Sequence, residues 1–434
     1  MTPSRTLLIV SLLLAVVALA AAFLPWLGSL WWVLAGITMG VVLLDLVTVH
    51  RPIDVELRRE VRHSIPVGAW SQVTLSLINR EQRPFAIRLH DHHPAWFEVE
   101  TLPCELTLPQ RQSAKVTYRV RPARRGDGDF PGCDLLLLSP LGFWHKKRFL
   151  QVEDRVKVFP NFQEISRYAL LATDHRLSQM GVKRRQRRGE GNDFHQLREY
   201  RPGDSMRQID WRATSRYRKL ISKEYQDERD QQVLFLLDCG RRMRHEEEGR
   251  VHLDQALNAM LLLAHVAARQ GDAVGFLSFG GPRRWLPPRK GANSVRELLE
   301  RTYDLASTSE AADYLAAARE LMPLQQRRAL VVIMTNTRDE DHADLAAAVR
   351  LLQRRHLVVV ANLRESLLDE SLAKPVRNFD DALRFHGVNQ YLDNRRQGLS
   401  SLRHKGAVIL DLQAPQLPVT LVNSYLMIKA SGSL

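Results

Sequence analysis

The sequence predicts a multidomain chain: a transmembrane helical hairpin, an antiparallel β-sandwich, then an α/β domain on a doubly wound, mostly parallel sheet. Three observations carry this. Thr6 to Leu44 holds no charged residue and is divided by Pro25. From Val55 onward, short apolar runs alternate with period two between turn formers. From Val233 onward, aliphatic runs of buried-strand character alternate with helical patterns. The boundaries that follow are 1–50 for the membrane segment, 52–160 for the β-rich domain, 161–230 for a charged segment and 231–434 for the α/β domain.

A chain of 434 residues has room for two folded domains beside a membrane segment. The formal net charge is +14, and Arg5 and Asp45 cancel within the first fifty positions, so the excess belongs to the rest. Nucleic acid, anionic lipid head groups or an acidic protein surface could answer such a charge. The three cysteines, Cys104, Cys133 and Cys239, form no metal-ligand spacing. An odd, sparse set suits a reducing compartment better than a disulfide framework.

Thr6–Leu24 and Leu30–Val49 each match the roughly 20 apolar residues needed to cross a bilayer. The connector Pro25-Trp26-Leu27-Gly28-Ser29 is too short for anything but a hairpin, and Trp26, Trp31 and Trp32 belong at the far interface. Gly36-x-x-x-Gly40 offers a flat face for the Ala-rich first helix. Ala18-Leu19-Ala20 resembles a signal-peptide cleavage site, but a second full span follows at once, which favours the hairpin. Arg5 before the hairpin and Arg51, Arg58, Arg59 and Arg62 after it place both ends in the cytoplasm by the positive-inside rule. The expected location is the bacterial inner membrane, with two spans and cytoplasmic soluble domains.

In the β-rich region, Val55–Leu57, Val73–Leu77, Ile87–Leu89, Phe97–Val99, Lys115–Val120 and Leu135–Leu138 read as short strands. Turn signals such as Pro66-Val-Gly68, His93-Pro94, Arg125-Gly-Asp-Gly128 and Ser139-Pro-Leu-Gly142 separate them, the spacing of a sandwich or a small closed barrel. His90, His92 and His93 lack a completing carboxylate or cysteine and read as a solvated strand end. The domain shows no catalytic constellation and reads as a spacer or binding module.

The charged segment is densest at Lys183-Arg-Arg-Gln-Arg-Arg188, and residues 181–230 hold 14 Lys and Arg against 9 Asp and Glu. Interleaved acids argue for ion pairing or a mixed-charge protein interface rather than a nucleic-acid arm. Arg198, Arg201, Arg207 and Arg212 lie among Glu199, Asp204 and Asp210, so bidentate pairs are available. Phe194, Tyr200, Trp211 and Tyr217 supply large apolar anchors. Asp204, Asp210 and Trp211 read as structural, whereas Arg198, Arg201 and Arg207 are candidates for a partner-docking surface. His195 with these acids specifies no reaction, since no nucleophile or metal set accompanies them.

The series Phe194-x-x-Leu-Arg-Glu-Tyr-Arg-Pro-Gly-Asp204, Arg207-x-Ile-Asp-Trp211, Ser215-Arg216 and Lys223-x-Tyr-x-x-Glu228 resembles the signature of domain-of-unknown-function family 58. The hairpin, a β-rich domain with an Arg-Arg-Gly ending at Gly126 and Ser-Pro-Leu-Gly at 139–142 fit the layout of longer members. The resemblance implies a von Willebrand factor A-like domain after the signature. It also implies association with AAA+ ATPases of the MoxR branch.

In the last region Val233–Leu237, Ala273–Phe279, Ala329–Met334, His356–Ala361 and Ala407–Leu412 read as buried strands. Leu253–Arg269, Ser294–Leu305, Tyr314–Met322 and Ala343–Arg354 read as helices, giving a parallel sheet covered on both faces. Arg283–Pro288 reads as an antiparallel edge strand. Domains of the implied type carry an Asp-x-Ser-x-Ser metal motif with a later Thr and Asp. Here Asp238 takes the first place, Gly240 and Arg242 replace the serines, and Thr335-Asn336 replaces the later acid. Ser307–Asp313 lacks an obvious Gly-Thr, with Thr308 as the nearest substitute. A hard cation needs oxygen ligands. The expectation is a degenerate site around Asp238, Gly240, Arg242 and Asn336 that holds no metal, with Asp238 paired to a nearby arginine.

No phosphate-binding Gly-x-x-x-x-Gly-Lys-Ser/Thr loop occurs, so ATP hydrolysis must come from elsewhere. The expected function is a non-enzymatic, membrane-anchored adaptor with no cofactor and no catalytic residues. It would contact the lipid bilayer and a cytoplasmic protein, the AAA+ ATPase of the resemblance, in assembly or maturation of a complex. The alternative is a basic membrane protein that binds nucleic acid or anionic lipid through 183–188; the interspersed acids weigh against nucleic acid.

Overall fold

The computed structural model describes residues 1–23, 26–50, 53–161, 193–201, 206–226, 231–247, 249–404 and 406–432. They divide into two compact units, Met1–Phe159 and Pro160–Leu434.

The first unit opens with β1 (Thr2–Pro3) and the helices α1 (Arg5–Phe23) and α2 (Trp26–His50). Both helices are long and apolar enough to cross a membrane. α2 begins four residues earlier than the expected span from Leu30, at Trp26. Its better-covered residues, Trp31, Ala35, Thr38, Val42, Asp45 and Val49, recur at three- and four-residue steps and form one stripe. Trp31 Nε1 donates to Leu14 O of α1 at 3.0 Å, so it works between the helices. Gly36 and Gly40 fall off this stripe, and a Cβ at either would meet nothing within 4 Å. The expected glycine seam is therefore not what joins them.

The strands β2 (Val55–Glu60), β3 (Ser64–Pro66), β4 (Ser71–Asn79), β5 (Phe85–Asp91), β6 (Phe97–Glu100), β7 (Cys104–Leu108), β8 (Ser113–Pro122), β9 (Gly126–Leu138) and β10 (Trp144–Phe159) form two sheets. One has the order β1-β10-β9-β5-β7, with β3 parallel beside β10, and the other β2-β4-β8-β6. Alternate residues of β4 (Val73, Leu75, Leu77) share one core with Ile87, Leu89, Leu135 and Leu137 of the facing sheet. Gly126–Gly128, expected as a turn, is instead the start of β9 paired to β10. Arg59, which the charge rule counted as a surface cation, is fully buried: its guanidinium reaches Asp91 at 2.5 Å and Asp154 at 2.9 Å. Cys133 Sγ also donates to Asp91, at 2.8 Å.

The end of α2 is sewn to the loop between β9 and β10. The Asp45 carboxyl is buried there; Leu141 and Phe143 donate backbone N–H groups to it. Lys146 Nζ reaches Val49 O at 2.8 Å and Trp144 Nε1 reaches Val42 O at 3.2 Å.

In the second unit β11 (Asp193–Glu199) and β12 (Ile221–Gln226) pair as an antiparallel ribbon around the short helix α3 (Trp211–Tyr217). The larger sheet comprises β13 (Gln232–Asp238), β16 (Ala273–Phe279), β17 (Trp285–Arg289), β18 (Leu330–Thr335), β19 (Leu357–Arg364) and β20 (Val408–Gln413), after the hairpin β14 (Glu246–Glu247) and β15 (Arg250–Val251). Its order is β17-β16-β13-β18-β19-β20, parallel except for β17. β17 runs antiparallel at the edge as expected, and Gly275 makes the fit possible: a Cβ there would lie 2.5 Å from Leu286 O.

Helices α4 (His252–Arg269), α5 (Ala292–Thr302), α6 (Tyr314–Leu324), α7 (His342–Leu352), α8 (Ser366–Ala373), α9 (Phe379–Arg403) and α10 (Leu417–Ala430) complete the unit. Strand β13 shows why an uninterrupted apolar run is required. Val233, Phe235 and Leu237 enter a core with α4 and α10, while Leu234 and Leu236 enter the opposite core with α6, α7 and the end of α9. Each such leucine side chain contributes roughly 1.5–3 kcal/mol on burial. The 25-residue α9 escaped the sequence reading because its buried residues, Leu392, Arg395, Leu399 and Leu402, are confined to its second half.

Candidate functional site

The parallel strands bring their carboxyl ends to one edge of the sheet, where open α/β sheets place ligands. Asp238, Thr335, Asn336, Thr337, Asn362 and Glu365 all gather there and all are buried. Buried polar groups need partners, and theirs divide the edge into three clusters.

The first surrounds Asp238. Its Oδ1 accepts Gly240 N–H at 2.7 Å and its Oδ2 accepts the Thr335 hydroxyl at 2.7 Å. Thr335 has thus spent its proton, so Tyr314 O–H donates to it at 2.8 Å. Burial pushes the Asp238 carboxyl up to about 6, against the lowering effect of these donors. The expected arginine pairing of Asp238 is not what forms. The guanidinium of Arg242 turns to Asp341, 2.7 Å away, and to Glu340, because those acids remain near solvent while Asp238 lies beneath them. A Cβ on Gly240 would stand 3.0 Å from both Asp238 Oδ1 and Glu310 O, so no serine hydroxyl fits there without a shift. Thr308 does border this turn, but its hydroxyl donates to Gly280 O at 2.7 Å. Asn336 faces away from Asp238, toward His252 and Glu365.

The second cluster is a latch. Arg395 of α9 is fully buried and donates to Thr337 O at 2.6 Å, Leu363 O at 2.7 Å and Asp411 Oδ1 at 2.8 Å. Asn362 Oδ1 receives Thr337 N–H at 2.9 Å and its Nδ2 reaches Asp411 at 3.1 Å. This ties three strands to one helix.

The third cluster was not anticipated. His245, Glu247 and His252 bring one ligand-type atom each to within 4.8 Å of one another. Glu247 lies 3.5 Å from His245 Nε2 and 3.8 Å from His252 Nε2. Burial first, then the neighbouring His245, holds His252 below the ordinary histidine range, which favours the neutral ring. The signal in the sequence was the spacing His245-x-Glu247-x-x-x-x-His252, hidden in a stretch that reads as a polar loop.

Of the expected docking residues, Arg198 on β11 is half-buried and Arg201 is exposed, while Arg207 lies in a 3₁₀ turn, its side chain outside the described residues. The 183–188 run and Asp204 also lie outside them. Asp210 has the structural part expected of it: it caps α3 by accepting from Arg212 N and Ala213 N, and Lys223 reaches it at 3.4 Å. Trp211 is no anchor. It is 68% exposed, beside Met206 at 78% and Tyr217 at 62%, because the two-turn helix α3 buries just Ala213.

A family model described as "Protein of unknown function DUF58" matches residues 196–374, which include all three clusters except Arg395 of α9 and Asp411 of β20. An uncharacterised protein YeaD of Bacillus subtilis strain 168 is 23% identical over 246 residues, 54% of this chain and 57% of that protein. The chain thus spans a little over half the length of that curated relative. Among solved structures, Escherichia coli alpha-2-macroglobulin is 16% identical, with 26% of this chain and 17% of that chain covered and a TM-score of 0.22. A FixG-related protein from Vibrio parahaemolyticus is 10% identical, with 25% and 97% covered and a TM-score of 0.18. Likeness at that level defines neither fold nor function here.

Proposed function

We propose that this chain is a membrane-anchored, non-enzymatic adaptor presenting a von Willebrand factor A-like domain to a cytoplasmic protein partner. The AAA+ ATPase of the MoxR branch implied by the sequence signature is the partner we assign. Assembly or maturation of another complex is the purpose. The observation that carries this reading is the exposure of Met206, Trp211, Tyr217 and Leu220 on the signature segment, in company with Arg198 and Arg201. Large exposed aromatics and arginine are the residue types on which protein interfaces concentrate their energy.

The membrane anchor rests on the two apolar helices, and the domain type on the parallel sheet with an acid at the end of β13. The Asp238 surroundings support display rather than metal-dependent adhesion, because hydroxyl, amide and aromatic groups occupy the carboxylate's coordination directions. Co-purification of the full-length chain from detergent tests the pairing. Recovery of an AAA+ ATPase in stoichiometric amount supports it; absence of any ATPase, with and without nucleotide, overturns it.

A further inference from the structure

We propose that His245, Glu247 and His252 form a binding site for a divalent transition metal of the zinc type. Two imidazole nitrogens and one carboxylate oxygen would hold it. Tetrahedral ligands about 2.0–2.1 Å from zinc stand about 3.4 Å from one another. Glu247 Oε1 lies 3.5 Å from His245 Nε2 and its Oε2 3.8 Å from His252 Nε2, and one ligand atom from each residue falls within 4.8 Å of the others. Rotation of the partly exposed His245 and Glu247 side chains, bringing the widest pair in by up to about 1.4 Å, closes the set.

The scaffold holds this arrangement by its own backbone. His252 N–H donates to His245 O at 2.8 Å, which fixes the two histidines to each other. Between them β14 pairs with β15, with Glu247 opposite Arg250. Glu247 Oε1 accepts Ser366 N–H at 2.6 Å, which orients the carboxylate from behind.

The second, independent observation is His252 Nε2. The residue is fully buried, yet this nitrogen has no hydrogen-bond partner, and it faces Glu247. A buried polar atom without a partner costs stability, and a metal would satisfy it. On the other side of the ring the Asn336 amide stands 3.4 Å from Nδ1, and its own oxygen is also buried without a partner.

The donor set selects the metal. Two nitrogens and one oxygen suit zinc and its neighbours, whereas magnesium and calcium take oxygen ligands. Three protein ligands leave a fourth position, and His245, whose side chain is 37% exposed, opens that position to water. The site is separate from Asp238, which supplies a single carboxylate among hydroxyl and amide donors.

The test uses the tag-free full-length chain in detergent, stripped with a chelator. It is titrated with zinc by calorimetry and with cobalt by visible absorption. One equivalent of zinc and the intense bands of four-coordinate cobalt are expected. His252→Ala and His245→Gln should each weaken zinc binding roughly tenfold or more, and Asp238→Ala should leave it unchanged. His245 is partly exposed, so His245→Gln keeps the fold, which circular dichroism checks. Absence of stoichiometric zinc binding in the parent chain, or undiminished binding in folded His245→Gln, overturns the proposal.

Discussion

Asp45, near the end of α2, accepts the Ser139 hydroxyl at 2.5 Å across more than ninety positions of sequence. The same carboxyl takes the backbone N–H groups of Leu141 and Phe143, at 3.1 and 3.3 Å, so one side chain fixes the whole Ser139–Gly142 turn to the helix. From the other side, Ser4 Oγ donates to Gly142 O at 2.5 Å. Asp45→Leu would leave the buried Ser139 hydroxyl and the partly buried Leu141 and Phe143 N–H groups without their acceptor, a loss of about 1–3 kcal/mol. The expected outcome is faster proteolytic cutting at 139–142 and a lower melting temperature in detergent. Unchanged cleavage would mean the turn is held some other way.

The buried Arg59–Asp91 pair gives a second prediction. Asp91→Ala leaves a guanidinium in the β core and is expected to cost about 3–5 kcal/mol. Combining it as Arg59→Met with Asp91→Leu should recover at least half of that loss, since a buried pair replaced by apolar groups is often neutral. Chemical unfolding of the three chains decides the matter.

For Asp238 the pH dependence has a definite sign. Its folded value of about 6 lies above the ordinary 3.8 because burial disfavours the charge. Its contribution to stability is complete below pH 3.8 and is lost as the pH rises through 6. Asp238→Asn escapes that loss, so it should melt higher than the parent at pH 7.5, by up to about 3 kcal/mol in stability. The difference should shrink toward pH 4. A gap that stays constant from pH 4 to 7.5 counts against this origin.

Magnesium should show no Asp238-dependent binding. Calorimetric titration of the full-length chain checks this; micromolar affinity that disappears in Asp238→Ala would contradict the geometry, in which Gly240 N–H and Thr335 occupy the carboxylate oxygens.

Trp211→Ala should change stability by no more than about 0.5 kcal/mol, as surface substitutions do, because the ring is 68% exposed. Partner capture should nonetheless fall sharply in Trp211→Ala and in Arg201→Glu. Full capture by both variants would move the docking surface elsewhere.

The strands of both units were legible in the sequence because period-two alternation and β-branched runs are direct consequences of how sheets bury their faces. β16 was anticipated to the residue and β13 within one at each end. Long β10 was missed, since its pattern of exposed charges (Lys147, Glu153, Arg155, Lys157) masks a strand with just two fully buried residues, Val156 and Val158. In the site, the acid ending β13 and the departures around it could be read from spacing. That Asp238 would prefer Thr335 to an arginine could not, because depth below the surface is a tertiary property. His252 was likewise not singled out, because the β14–β15 hairpin that folds it back against His245 is a tertiary feature.

The outer strand β17 carries Pro287 and Pro288 where its pairing with β16 is irregular. Neither proline has an N–H to offer, so this margin of the sheet presents a broken row of donors to its surroundings. A stray strand from a second molecule finds no ladder to extend there. Replacing Pro287 and Pro288 with donor-bearing residues is expected to raise edge-to-edge association through this one margin.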